Sequence, residues 1–315
     1  MTETGTQVHP RRRLEKRLAC RRAIETAIRT GRRKNAHRDA LVLRDRIAEP
    51  ILRAALKITG LYSRGIRNAL EPVVRYLPLE FESLPESFHG FRILHLADLH
   101  IDGVDGLAEI VAQRVAALHA DLCVMTGDYR FAMEGPCNEV YSGMATVLSG
   151  VHAQHGVLAI LGNHDESNIA VELETLGVRM LINEAVEITR GGDRLWMIGV
   201  DDPHHYGCDD LQEALESVPA DAFKVILAHS PEMFAEAAAA EIHLYLCGHT
   251  HAGQICLPGI GGPLMNADCP RAYTHGRWQH GDMLGYTSAG VGCSLLPVRY
   301  NCPPEIGLIE MLQSH

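Results

Sequence analysis

The sequence predicts an α/β protein: a four-layer αββα sandwich, with two mixed β-sheets face to face between outer helices, and a basic helical arm at the N-terminus. Three observations predict it. Between Phe91 and Asp165, short apolar runs alternate with segments of helical period, and each run ends in acidic, histidine or asparagine residues. Beyond about Leu181 the pattern becomes hairpin-like, so the second sheet contains antiparallel pairs. The charge is also split along the chain: residues 1–78 hold 19 Lys+Arg against 7 Asp+Glu, and the remainder holds 10 against 32.

Taken in order, residues 1–38 are polar and Arg-rich and are expected to be mobile at their start, in an arm that is partly disordered and partly helical. Residues 39–78 are expected to be helical. Ile47, Ile51, Ala55, Ile58 and Leu61 fall near one helix face, while Arg44, Arg53, Lys57, Arg64 and Arg67 lie largely elsewhere. Pro50 disfavours helix at Glu49, which divides the segment in two, and Gly60 is placed to end the second piece. Such an arm either packs on the acidic body or lies on an anionic membrane surface. No aromatic residues interleave its arginines, which argues against nucleic acid. Then come "FRILHLAD", the helical "GLAEIVAQRVAALHA", "DLCVMTGD", a helix around Val140–Leu148, and "GVLAILGNHD". "AVEITR" and "RLWMIGV" flank a turn at Gly191-Gly192-Asp193. "FKVILAHS" and "EIHLYLCGHTH" are strands ending in histidines, and "MLGYTSAG" and "EIGLIEM" are closing strands.

With 315 residues the chain can bury one large core. Its nine cysteines are odd in number, lack a CxxC pair and sit partly in apolar runs, so free thiols in a reducing compartment are expected. No run approaches the roughly 18 apolar residues of a membrane span, and no apolar run follows the N-terminal arginines as in a secretory signal. The expected location is cytoplasmic, with peripheral contact to the inner face of the membrane.

Five strand ends present metal-ligand side chains: Asp98 and His100, Asp128, Asn163 and His164, His229, then His249 and His251. Singly each is weak; a DxH pair alone is more often a turn acid beside a core histidine. All five, each after an apolar strand, point to a metal centre. Imidazole, carboxylate and amide oxygen without thiolate favour Mn²⁺, Fe or Zn²⁺. Asp98 and His100 are spaced i, i+2, which on an extended strand end aims both to one side. One carboxylate can bridge two ions roughly 3.5–4 Å apart, and two ions clamp a phosphate ester and activate a water as a hydroxide nucleophile.

The ordered set DxH, GD, GNHD, H, GHTH resembles the calcineurin-like metallophosphoesterase superfamily over about Phe91–Met311. "GVDDP", "GHTHAGQICLPG" and "VGCSLLPVRYNCPPEIGLIEM" resemble its bacterial phosphodiesterase branch, which includes UDP-2,3-diacylglucosamine pyrophosphohydrolases. The resemblance implies a catalytic domain over 79–315 behind an arm over 1–78, and a dinuclear phosphoester hydrolase, with manganese the first expectation and a lipid-linked or other small phosphoester as substrate. It implies one ion held by Asp98, His100, Asp128 and His251, and another by Asp128, Asn163, His229 and His249. His164 would stabilise phosphoryl charge or protonate the leaving oxygen, and Asp165 would orient its imidazole. The second motif reads "GDYRFAME", without the acid that relatives often carry three residues after the aspartate. Arg130 reads either as a surface arginine paired with a nearby acid or as a contact to a substrate phosphate. Asp201, Asp202, His204 and His205 read as a turn or a site rim, His95 as a core residue and Asp102 as a turn acid. Ala267–Tyr286 reads as a surface loop or substrate lid. A nucleotide phosphodiesterase is the alternative function; a non-catalytic scaffold is disfavoured because no ligand is missing.

Overall fold

The computed structural model describes residues 10–32, 48–262 and 265–314. Two six-stranded sheets face each other. The first runs in the order β1 (Val73–Phe81), β12 (Glu305–Gln313), β2 (Phe91–Leu96), β3 (Leu122–Met125), β4 (Val157–Ala159), β5 (Arg179–Met180). Only the β12–β2 pair is antiparallel. The second runs β10 (Gly276–His280), β11 (Met283–Thr287), β9 (Leu244–Cys247), β8 (Phe223–Leu227), β7 (Asp193–Gly199), β6 (Glu184–Arg190). Its centre is parallel, and an antiparallel pair closes each edge. The β6–β7 turn is Gly191-Gly192, with φ of +58° and +96°. Two successive positive φ values match the twist of a two-residue hairpin, and glycine adopts them without a Cβ clash.

The strands are apolar on both faces because both faces are covered. Ile93, Val124 and Ile160 meet Met197, Val225 and Leu246 between the sheets. Leu94, Leu96, Cys123 and Met125 face the opposite way. There they pack under α5 (Leu107–Ala116), α6 (Asn138–Ser149) and α7 (Ser167–Thr175). Helix α5 buries Leu107, Val111 and Val115, spaced four apart on one face. Short helices α8 (Leu211–Leu215) and α9 (Phe234–Ala239) cover Ile198, Ile226 and Tyr245 of the second sheet. Each fully buried aliphatic side chain contributes about 1.5–3 kcal/mol.

The start of the N-terminal arm, residues 1–9, falls outside the described residues, and helix begins at residue 10. Helices α1 (Pro10–Arg17) and α2 (Ala19–Arg29) dock on the body, with Leu14 and Leu18 in the outer core. Arg13 pairs with Glu174 at 2.5 Å and with Glu184, and Arg17 pairs with Glu213 at 2.7 Å. Opposite charge on arm and body, together with two buried leucines, accounts for the order. Residues 48–58 form α3, and α4 spans Tyr62–Ala69. Residues 48–50 are all helical, so Pro50 does not end the helix at Glu49 as expected. Arg44 and Ile47 fall outside the described residues. Gly60 sits at φ +72° between α3 and α4, as a helix-ending glycine does. The expected boundary after Pro78 is corrected, because β1 starts at Val73 and pairs with β12 along its whole length. Ala267–Tyr286 is also not a free loop. It contains the hairpin β10–β11, and Trp278 is buried against the second sheet.

Candidate functional site

All the predicted ligand residues converge where the strands of both sheets end. Asp98 and His100 follow β2, Asp128 follows β3, Asn163 and His164 follow β4, His229 follows β8, and His249 and His251 follow β9. Loops at the C-terminal ends of adjacent parallel strands share a crevice, so side chains distant in sequence meet there. The local backbone is not the extended strand end that the i, i+2 spacing predicts. Asp98, His100, Asp128, His249 and His251 have φ of +49°, +37°, +58°, +72° and +50°. Each left-handed non-glycine residue costs about 1 kcal/mol or more, and the packed sheets impose it to aim these side chains inward. Glycines give the room: a Cβ on Gly248 would lie 2.2 Å from Asp98 Oδ2, and one on Gly162 2.2 Å from Asp128 Oδ1. Gly248→Ala should therefore displace the Asp98 carboxylate. Bound metal and phosphoesterase turnover should fall together, by about tenfold or more. Metal analysis alongside a turnover assay checks this, and unchanged values for both would contradict it.

The donor atoms form two groups that share one oxygen. His100 Nε2 lies 3.2 Å from His251 Nε2, which is 3.8 Å from Asp98 Oδ1. Asn163 Oδ1 lies 2.8 Å from His229 Nε2 and 2.9 Å from His249 Nδ1. Asp128 Oδ2 stands 3.6 Å from His100 Nε2 and 3.4 Å from His229 Nε2, between the groups. Main-chain carbonyls fix the tautomers, because a carbonyl only accepts. His100 Nδ1–H donates to Arg130 O at 2.6 Å and His229 Nδ1–H donates to Thr126 O at 2.8 Å. Their Nε2 lone pairs are thereby left facing the centre. Carboxylates, an amide oxygen and imidazole lone pairs packed this closely repel one another unless a cation lies among them. These residues fit divalent ions of the Mn²⁺, Fe or Zn²⁺ class. The same side chains fall into clusters able to hold an ion: Asp98, His100 and His251; His100, Asp128 and His164; and Asp128, His229 and His249.

The electrostatics show the same strain. Burial, with Asp128 nearby, pushes the Asp98 carboxyl up to about 7. Burial holds the His100 imidazole down at about 3. Burial opposes charge on His229 too, but the Asp128 carboxylate outweighs it and lifts the imidazole to about 10. Without an ion, a proton on His229 offsets the buried negative charge.

His164 turns its ring to the rim of this cluster. Its Nδ1–H donates to Phe131 O at 2.8 Å, and Nε2 lies 3.9 Å from Asp128 Oδ2. This corrects the role expected of Asp165. The Asp165 carboxylate instead accepts the main-chain N–H groups of Asp128, Tyr129 and Gly162 at 2.7, 2.9 and 2.8 Å. It orders the loops and leaves the imidazole alone. Phe131, whose carbonyl holds the imidazole, stands three residues after Asp128. Arg130 is corrected as well: it is only 1% exposed, donates to Gly135 O at 3.1 Å and lies 4.0 Å from Glu166. Its carbonyl serves the site through His100, while its guanidinium is sealed from solvent.

The remaining candidates divide. Asp202 accepts the N–H groups of His204, His205 and Tyr206 and shapes that turn. The His204 ring packs 4.2 Å from the His249 ring, with Nδ1 2.8 Å from Glu232. His95 is a core residue bonded to Thr126, and Asp102 accepts the Phe131 N–H. Two arginines escaped the sequence reading. Arg299 is buried and donates to the carbonyls of Ala289, Gly290 and Gly292 beside His251. Arg21 is buried behind Asn163 and His164. Its one sequence signal is that Leu14, Leu18, Arg21 and Glu25 recur at helical spacing on one face. All nine cysteines are free thiols, with Cys123, Cys208, Cys247, Cys293 and Cys302 buried and Cys20 exposed.

Residues 91–253 match the family model described as calcineurin-like phosphoesterase. Phosphodiesterase YaeI of Escherichia coli is 31% identical over 70% of this chain and 82% of its own length. The metallophosphoesterase YkuE of Bacillus subtilis is 28% identical over 72% of this chain and 81% of its own. A bovine transmembrane protein with a metallophosphoesterase domain is 30% identical over 83% of this chain and 63% of its own. Two mixed sheets, five ligand-bearing strand ends and these matches agree: the chain belongs to the calcineurin-like phosphoesterase family and is a metal-dependent phosphoester hydrolase.

Proposed function

We propose that this hydrolase cleaves a phosphodiester or pyrophosphate bond of a lipid-linked substrate at an anionic membrane surface, using two manganese ions. The observation that carries the chemistry is the cluster of carboxylate, amide and imidazole groups bridged by Asp128 Oδ2. Asp98, His100, Asp128 and His251 would hold one ion, and Asp128, Asn163, His229 and His249 the other. When bound, the ions supply Lewis acidity toward the phosphoryl oxygens and activate a water. His164 is fixed by the Phe131 carbonyl with Nε2 toward the cluster. With Nδ1–H committed, Nε2 donates only from the imidazolium form. It is therefore the group that hydrogen-bonds a phosphoryl oxygen or hands a proton to the leaving oxygen.

What supports a membrane is a group of exposed apolar side chains. Ile51 and Ile58 are 64% and 86% exposed, and Leu61, Leu257 and Ile260 are exposed too. Tyr300 links the two segments, donating its hydroxyl to Leu61 O and accepting at its carbonyl from Cys256 N–H. Arg53 and Lys57 flank the exposed group, and each cation near an anionic surface contributes about 1 kcal/mol. Arg13, Arg17 and Arg21 of α1 and α2 are paired with the body, whereas α3 turns exposed apolar side chains outward and is the part proposed to meet lipid. Among the described residues no helix is long and apolar enough to cross a membrane. The contact would be peripheral.

Purified protein loaded with Mn²⁺ should hydrolyse bis-p-nitrophenyl phosphate. It should cleave a UDP-diacylglucosamine in phosphatidylglycerol-containing vesicles faster than any cyclic nucleotide. No cleavage with Mn²⁺, Fe²⁺ or Zn²⁺ would defeat the chemistry, and faster cyclic-nucleotide cleavage would defeat the lipid assignment. Ile58→Glu should release the protein from those vesicles in sedimentation while leaving turnover of the soluble ester unchanged. Equal sedimentation of the variant and the parent would remove the membrane assignment.

A further inference from the structure

The structure assigns Arg21 of α2 a positioning role for the segment that carries Asn163 and His164, so that the N-terminal helices complete the catalytic unit. The inference rests on the functional reading above. Residues 10–32 lie outside the region 91–253 that defines the family match. Their docked helix nevertheless reaches the back of the site. The Arg21 side chain is fully buried. Its NH1 donates to Gly162 O at 3.1 Å and Asp165 O at 2.6 Å, the two carbonyls that bracket Asn163 and His164. Its Nε and NH2 donate to Asp201 Oδ1 at 2.9 and 2.5 Å. The Tyr206 ring lies 3.9 Å from the guanidinium carbon and closes it off. One helical turn on, Glu25 accepts from the Ser167 N–H at 2.7 Å and the Ser167 hydroxyl at 2.8 Å. Segment 162–167 is thus gripped at its start, middle and end by two side chains of α2.

This grip matters because the segment's other supports act at different points. Asp165 takes the Gly162 N–H, and Asp128 takes the His164 N–H. The Asp165 N–H also reaches Gly162 O, at 3.4 Å, but neither residue spans both carbonyls. A planar guanidinium spans both and is anchored in turn by Asp201, which a lysine ammonium cannot reproduce with the same fork. Loss of the fork lets the Asn163 oxygen and the His164 ring drift by fractions of an ångström. That is enough to weaken a ligand and misplace a proton donor.

The test uses the full chain and the variants Arg21→Ala, Arg21→Lys, Glu25→Gln and Arg13→Ala. Arg13 docks α1 through Glu174 and Glu184 but does not touch segment 162–167. It therefore reports helix docking alone. Thermal midpoint, Mn²⁺ titration by calorimetry, and kcat and KM on bis-p-nitrophenyl phosphate are measured for each. Arg21→Ala should lower kcat by about 10–100-fold at nearly constant KM and weaken one of the two Mn²⁺ equivalents by about tenfold. Millimolar guanidinium should restore part of both, and Arg21→Lys should fall between. Arg13→Ala should lower the thermal midpoint and leave kcat and both equivalents intact. If Arg21→Ala does not fold, Arg21→Lys and Glu25→Gln give the same readouts. Parental kcat and two parental Mn²⁺ equivalents in the folded Arg21 variants would overturn the assignment, as would equal losses in Arg13→Ala. A parent that cleaves no ester sinks the functional reading, while the Mn²⁺ titration still decides the role of Arg21.

Discussion

Asp128→Asn is expected to remove nearly all turnover. Asp128 Oδ2 is the one oxygen close to both donor groups, 3.6 Å from His100 Nε2 and 3.4 Å from His229 Nε2. Oδ1 also accepts the His164 N–H at 2.8 Å. Asparagine keeps the shape but loses the charge, and it offers at most one oxygen where two are used. Its NH₂ would point donors at an ion or at the His164 N–H. Losing about 4 kcal/mol of transition-state stabilisation corresponds to roughly a 10³-fold fall in kcat. Metal bound per chain should fall from two toward none, because the shared ligand serves both positions. Elemental analysis and turnover of bis-p-nitrophenyl phosphate read this directly. A variant with two bound metals and more than a tenth of parental kcat would show that Asp128 is not the bridge.

His164→Ala should separate chemistry from metal binding. The ring touches the site through Nε2, is held by the Phe131 carbonyl and packs edge-on against the His100 ring at 4.8 Å. Its removal leaves the seven other donors in place. Both metals should remain, while kcat falls by about 10²–10⁴-fold. The loss should be smaller for a nitrophenolate leaving group, which departs without a proton, than for an alkoxide. Equal losses for both leaving groups would assign His164 to phosphoryl charge alone. Unchanged kcat for the alkoxide substrate would take it out of the mechanism.

Much of this was legible because strand ends are local. Apolar runs closed by Asp98, Asp128, Asn163, His229 and His249 mark both the sheet and the ligands it presents, and the hairpin at Gly191-Gly192 declares itself by composition. The partnerships behind those residues were not legible. Asp165 stands next to His164 in sequence, yet its carboxylate serves the backbone of two neighbouring loops. The imidazole is held by Phe131 O, and a main-chain carbonyl has no letter in a sequence. Arg130 looks like a phosphate-binding fork, but packing sealed its guanidinium beneath the loop that follows it.

The arm shows the same division. Its positive charge and helical period are properties of composition and spacing. Which piece binds the body depends on what lies opposite once the chain folds. Leu14, Leu18, Arg21 and Glu25 meet a complementary surface. Ile51 and Ile58 meet solvent. The sequence by itself determined the sheets, the five ligand-bearing strand ends and the family. Only the tertiary structure decided which backbone groups orient His100, His164 and His229, and that α2 lies against the segment presenting Asn163. Ligand identity resides in side chains, whereas orientation depends on carbonyls and distant arginines that come together only after the two sheets have packed.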